Sequence, residues 1–231
     1  MIFTFKAGMV LLALLLVYKL LLAGDRQPWF SRMVLLAFYA AAPAAVLLGG
    51  QDYGADEAAG EYAGIAEAGP LLLLPGNGAD AVTGGNSPSW AIVLITIWIA
   101  GMAVVCAMTL ICGLRIRKLL SDGTYVMRHG RKIVITDNGD IAPFSVRNTV
   151  VMSRKDYEEA ADIILLHELR HIARRHWIDL CISRIAIIVY WYNPAAWLMA
   201  DELRTVHEYE ADAAVLSAGV DARLYQILLI K

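Results

Sequence analysis

Three stretches of the chain are almost wholly apolar: Ile2 to Ala23, Met33 to Gly50 and Trp90 to Leu114. A helix of about 20 such residues crosses the ~30 Å hydrocarbon core of a bilayer, so the pattern predicts three spans, at about 2–23, 33–50 and 90–114. Lys6 and Lys19 are the only charges in the first, and their long stems can carry those charges to the interfaces. A cleaved secretory leader is the competing reading of that run. A single Lys6 is a weak basic start, however, and further apolar runs follow. Pro43 predicts a kink in the second span, and Trp90 and Trp98 suit an interfacial anchor for the third.

Beyond Leu114 the pattern shortens and becomes amphipathic. Lys132 to Thr136 and Ile141 to Val146 flank Asp137-Asn138-Gly139-Asp140, and Asn-Gly between apolar runs signals a hairpin. Asp156 with Glu159 resembles a helix N-cap and its acidic partner. Ile163, Leu166, Leu169, Ile172 and Ala173 follow at helical spacing. Asp179 to Tyr192 is apolar but short, carries Asp179 and Arg184, and is cut by Asn193-Pro194; it reads as a buried or membrane-apposed helix. A further helix is expected from Pro194 through Asp212, and another after Gly219 around Leu224, Ile227 and Leu228. The predicted fold is mainly α, with multi-pass membrane helices in 1–114 and a helical domain with a small β-hairpin or sheet in 115–231.

Composition strengthens the membrane reading. The chain is 58% hydrophobic with mean hydropathy +0.54, against ~45–50% apolar residues in ordinary soluble domains. Its net charge of -2 hides a segregation. Residues 51–89 hold Asp52, Asp56, Glu57, Glu61, Glu67 and Asp80 without Lys or Arg, while basic residues gather from Arg115 to Lys132. The positive-inside rule therefore puts the connection holding Arg26 and Arg32, and the Arg115, Arg117, Lys118 cluster, in the cytoplasm. The acidic loop and the N-terminus then face outward, and 115–231 is cytosolic. No basic stripe interleaved with aromatics is present outside the juxtamembrane stretch, so direct nucleic-acid binding is not expected. Cys106, Cys112 and Cys181 sit in apolar surroundings at no metal-like spacing, which suits packing.

Chemistry concentrates in His167-Glu168-Leu169-Arg170-His171. On a helix, residues at i and i+4 share a face, so His167 and His171 can direct two imidazoles at one ion with Glu168 beside them. Catalytic zinc takes three protein ligands and keeps one position for water, whose proton Glu168 can accept. Taken alone, the motif also fits a surface helix with two solvated histidines. Glu208-Tyr209-Glu210-Ala211-Asp212, however, places Glu208 and Asp212 at the same spacing, suited to one ligand and one orienting carboxylate. Glu210 lies roughly 160° from Asp212 around that helix, and His207 about 100° from Glu208. His176 and His129 have no spacing argument. Arg170, Arg174 and Arg175 suit a solvated face toward anionic lipid headgroups.

With these motifs the chain resembles the gluzincin membrane peptidases, in which a His-Glu-x-x-His helix is followed by a Glu-x-x-x-Asp helix. The resemblance implies that Glu208 is the third zinc ligand and that Asp212 orients a zinc histidine. Asn193-Pro194-Ala195-Ala196-Trp197 is similar to a signature of one branch, the antirepressor peptidases of bacterial beta-lactam-sensing signal transducers. Ala142-Pro143-Phe144-Ser145, Asp156-Tyr157, and Trp177 with Asp179 are similar to that branch too. The family implies an integral-membrane zinc endopeptidase of the cell membrane. Its substrate would be a cytosolic transcriptional repressor or the peptidase itself, with Ala142 to Val146 pairing with it as an edge strand. Ala211 departs from the Cys of many members, and the fourth span and outward sensor of fuller receptors are not seen before Lys231. A quality-control or prenyl-protein peptidase shares the zinc motifs. A non-catalytic receptor or scaffold with a structural metal is the alternative from another class, and it would have no need of Glu168.

Overall fold

A computed structural model describes residues 2–22, 27–49, 90–128, 130–139 and 141–229. The acidic loop at 51–89, Ala23, Arg26, Gly50, His129 and Asp140 lie outside the described residues. The fold is mainly helical: three long apolar helices precede a helical part that carries a small four-stranded sheet.

The apolar helices are α1 (Ile2–Leu21), α2 (Pro28–Gly49) and α3 (Trp90–Asp122). Each is long and apolar enough to cross a membrane, and a helix satisfies all its backbone groups internally, as lipid requires. Helix α2 starts earlier than the hydrophobic run, because Pro28 is a favourable first-turn residue. Helix α3 runs on to Asp122, so Arg115, Arg117 and Lys118 extend the helix instead of opening a loop. Leu11 and Leu15 of α1 pack with Leu35 and Ala42 of α2 in one buried cluster, whereas α3 leaves Ile92, Ile99, Met108 and Ile111 exposed. An apolar surface of that extent suits lipid, not water.

The sheet contains β1 (Thr124–Arg128), β2 (Arg131–Thr136), β3 (Phe144–Val146) and β4 (Thr149–Ser153), in the order β1-β2-β4-β3. The hairpin expected across Asn138-Gly139 does not form. Instead β2 pairs antiparallel with β1 around Gly130, whose φ is 69°, and parallel with β4, while β3 pairs antiparallel with β4. Two facts account for this. Pro143 has no N–H to give to a ladder, which limits pairing of the 141–146 run to Phe144–Val146 at the edge. Setting β2 beside β4 also brings Ile133, Ile135, Val150 and Met152 together over Leu165 and Ile172 of the next helix.

That helix, α4 (Arg154–Ala173), is capped by Ser153 and not by Asp156. Ser153 Oγ accepts from Asp156 N at 3.1 Å and donates to Asp156 Oδ2 at 2.7 Å, so the cap lies three residues before the expected one. The end of β4 decides between the two candidates, since Ser153 is the residue at which extended backbone gives way. Ala160 has non-helical angles and divides α4, leaving His167 to His171 on its second segment.

Helices α5 (His176–Val189), α6 (Pro194–Ser217) and α7 (Ala222–Leu229) complete the chain. The turn between α5 and α6 is pinned to the apolar helices, as expected of a buried or membrane-apposed segment. Trp191 Nε1 donates to Trp98 O and Trp98 Nε1 to Val189 O, both at 3.2 Å; Tyr192 OH donates to Thr4 O at 2.7 Å. Asn193 caps α6 by accepting from Ala195 N at 2.9 Å and donates to Gly8 O of α1 at 2.7 Å, while Trp197 Nε1 donates to Trp191 O at 3.0 Å. The Asn-Pro-x-x-Trp segment thus caps a helix, starts it and latches it to α1.

Gly101 of α3 lies against Trp191, and a Cβ there would come within 2.1 Å of the indole. Gly101→Ala is therefore expected to part α3 from α5 and destabilise the protein by about 1–3 kcal/mol. Thermal unfolding in detergent should show the loss. Gly113→Ala, where a Cβ meets nothing within 4 Å, is the control and should not lower the midpoint.

Candidate metal centre

Helix α4 places His167, Glu168 and His171 toward α6, which carries Glu208 and Asp212. His167 Nε2 and His171 Nε2 face each other at 3.1 Å, with Glu208 Oε2 3.2 Å from the first and Oε1 3.8 Å from the second. These residues can offer three ligand atoms within 4.8 Å of one another. A tetrahedral set at ~2.0–2.1 Å from zinc has ligand atoms ~3.3 Å apart, so spacing and donor chemistry both fit that ion.

The ring nitrogens turned away from this point are also engaged. His167 Nδ1 meets Tyr225 OH at 2.7 Å, and Tyr225 OH donates to Asp212 Oδ1 at 2.6 Å; Asp212 Oδ1 is itself 3.3 Å from His167 Nδ1. Asp212 thus reaches His167 both directly and through Tyr225, a residue that sequence reasoning missed because α7 brings it from beyond Gly219. His171 Nδ1 meets His176 Nδ1 at 2.8 Å, and His176 Nε2 meets Glu210 Oε2 at 2.9 Å. His176 had no spacing argument. Glu210, on the other side of α6 from Asp212, is buried against His176 and stands apart from the three-ligand cluster.

His207 is buried, with Nε2 2.8 Å from Asp179 Oδ2 and its ring stacked 3.9 Å from that of His176. Asp179 pairs with Arg32 of α2, Nε to Oδ2 2.7 Å, and not with Arg184. Of the basic cluster, Arg174 turns inward in part, its Nε 3.8 Å from Glu210 and its carbonyl accepting from Arg32.

Burial and charge set the protonation states. Burial pushes Glu168 above the usual carboxylate range, against a hydrogen bond with Ser145 and the neighbouring His167. Burial lowers His171 to about 4, with His167 and His207 adding to the fall. His176 is lowered to about 2, chiefly by burial and then by His207 and His171. For His167 burial also lowers the value, but the Glu208 hydrogen bond and the Glu168, Glu208 and Asp212 carboxylates outweigh it. Glu208 is held below its ordinary value, first by its bond to His167. A neutral His171 opposite an ionised Glu208 is the state that a cation requires of its ligands.

A cavity of about 760 Å³ opens beside these residues, lined by Pro143, Phe144 and Ser145 as well as His167, Glu168 and Tyr225. Strand β3 is one of the sheet's two edge strands, paired on one side with β4. A buried carboxylate, a three-ligand cluster and an edge strand therefore share one cavity.

Residues 73–230 match the sequence model of the BlaR1 peptidase M56 family. The chain is similar to a curated protein, the Regulatory protein BlaR1 of Bacillus licheniformis. The two are 27% identical over 151 residues, 56% of this chain and 25% of that protein. The aligned part thus spans about a quarter of that relative's length.

Proposed function

We propose that this chain, which belongs to the BlaR1 peptidase M56 family, is an integral-membrane zinc metalloendopeptidase acting in transmembrane signalling. Its substrate is a cytosolic regulatory protein, such as a transcriptional repressor, or the chain itself. In this reading 1–114 anchors the enzyme in the cell membrane and 115–231 holds the cytosolic peptidase. His167, His171 and Glu208 hold the zinc, and Asp212 orients His167.

The observation that carries the reading is Glu168, a buried carboxylate in the same cavity as the three-ligand cluster. When bound, zinc supplies Lewis acidity that polarises the scissile carbonyl and acidifies water. Glu168 takes the proton released as water attacks and delivers it to the departing amine; its burial raises its proton affinity toward the range useful near neutral pH. β3 offers its free edge to an extended peptide, fixing the scissile bond beside Glu168. Tyr225 and Asp212 keep the His167 ring turned to the metal. Arg32, near the start of α2, touches the helices around the cluster, which supports a site level with the basic, cytoplasmic end of that helix.

The reading is tested by comparing cytosolic protein fragments in cells expressing the wild type or Glu168→Ala under inducing conditions. Fragments that depend on Glu168 are expected; identical fragments would favour a receptor or scaffold.

A further inference from the structure

We propose that His176 and Glu210 are positioning residues for His171, and that Arg32 of α2 holds the pair. Zinc affinity then depends on how the second apolar helix is seated. The inference rests on the zinc reading above and adds a link between the membrane helices and the site.

A histidine that ligates through one ring nitrogen needs a fixed partner at the other. His167 has Tyr225 and Asp212 in that place; among the described residues His171 has only His176, 2.8 Å from Nδ1. The protons distribute in one way if the His171 Nε2 lone pair faces the metal. His171 Nδ1–H donates to His176 Nδ1, and His176 Nε2–H donates to Glu210 Oε2, 2.9 Å away. Each ring keeps one proton, and the Glu210 charge orients His171 through an intervening imidazole. His176 and Glu210 are only 2% and 4% exposed, so water cannot substitute for either contact.

The His176 ring is fixed in its plane. It stacks on His207 at 3.9 Å with 6° between the planes, and His207 is held by Asp179. Arg32 then joins both branches: Nε lies 2.7 Å from Asp179 Oδ2, Nη1 lies 3.7 Å from Glu210 Oε2, and Nη2 donates to Arg174 O at 3.0 Å. Arg174 Nε, 3.8 Å from Glu210, is the second cation near that carboxylate. The chain reaches this arrangement through Arg175, a non-glycine residue at φ 55° that turns α4 into α5 and folds His176 back on His171. A left-handed conformation is unfavourable for a residue with a Cβ, a strain offset by the buried contacts that follow. Because Arg32 belongs to α2, moving that helix changes its grip on Asp179 and Glu210 together.

The test uses the full chain in lipid nanodiscs, with zinc affinity measured by competition against a chromophoric chelator and with cobalt(II) absorption reporting ligand geometry. His176→Phe keeps the stack on His207 but removes both ring nitrogens. It should weaken zinc binding about 10–100-fold and alter the cobalt spectrum. His176→Asn, whose Oδ1 can stand in for Nδ1, should recover part of that loss. Arg32→Gln, remote from the metal, should weaken binding about tenfold. If the Phe variant does not fold, the Asn and Gln variants still decide. Zinc affinity within twofold of wild type and an unchanged cobalt spectrum in the folded variants overturn the proposal alone. A wild-type protein that binds neither metal overturns the zinc reading with it.

Discussion

Glu168→Ala is expected to keep its zinc and lose its peptidase activity, by about 10²–10⁴-fold or to below detection. The two effects separate because Glu168 lies outside the three-ligand cluster yet faces the same cavity. Metal content and cleavage, measured on one preparation, check this. Loss of both would mean that Glu168 supports the site's architecture and is not its base.

Glu208→Ala should do the reverse in order: zinc goes first, and activity with it. Glu208 is the sole carboxylate in the cluster and lies 3.2 Å and 3.8 Å from the two facing imidazole nitrogens. Loss of an outer partner of a metal ligand typically weakens binding by ~10–100-fold, so losing a ligand should exceed ~100-fold. Chelator competition measures it. Wild-type affinity in this variant would place the third ligand elsewhere. Glu210→Ala would not reproduce that scale, since Glu210 faces His176 on the other side of the helix.

The parts of the molecule legible in the sequence are those set by short-range periodicity. The apolar runs gave the three long helices, and the i, i+4 spacing of His167 with His171 and of Glu208 with Asp212 put those groups on helix faces that do meet. Sheet pairing was less legible, because β2 beside β4 is a non-local choice driven by Ile133, Val150 and their neighbours, and a local Asn-Gly signal says nothing about it. The cap at Ser153 was missed because two competent capping residues lie three apart and the end of β4 selects between them. His176 left no trace, since its approach to His171 depends on a left-handed arginine, which no sequence rule anticipates. Arg32 read only as a topogenic charge. Its partners, Asp179 and Glu210, are far along the chain, and three-dimensional packing alone brings them to it.

Zinc dependence tests the central claim most directly. Purified full-length protein should contain about one zinc per chain, lose cleavage when a chelator removes it, and regain cleavage when zinc is returned. Metal-free protein that still cleaves its substrate would contradict the account.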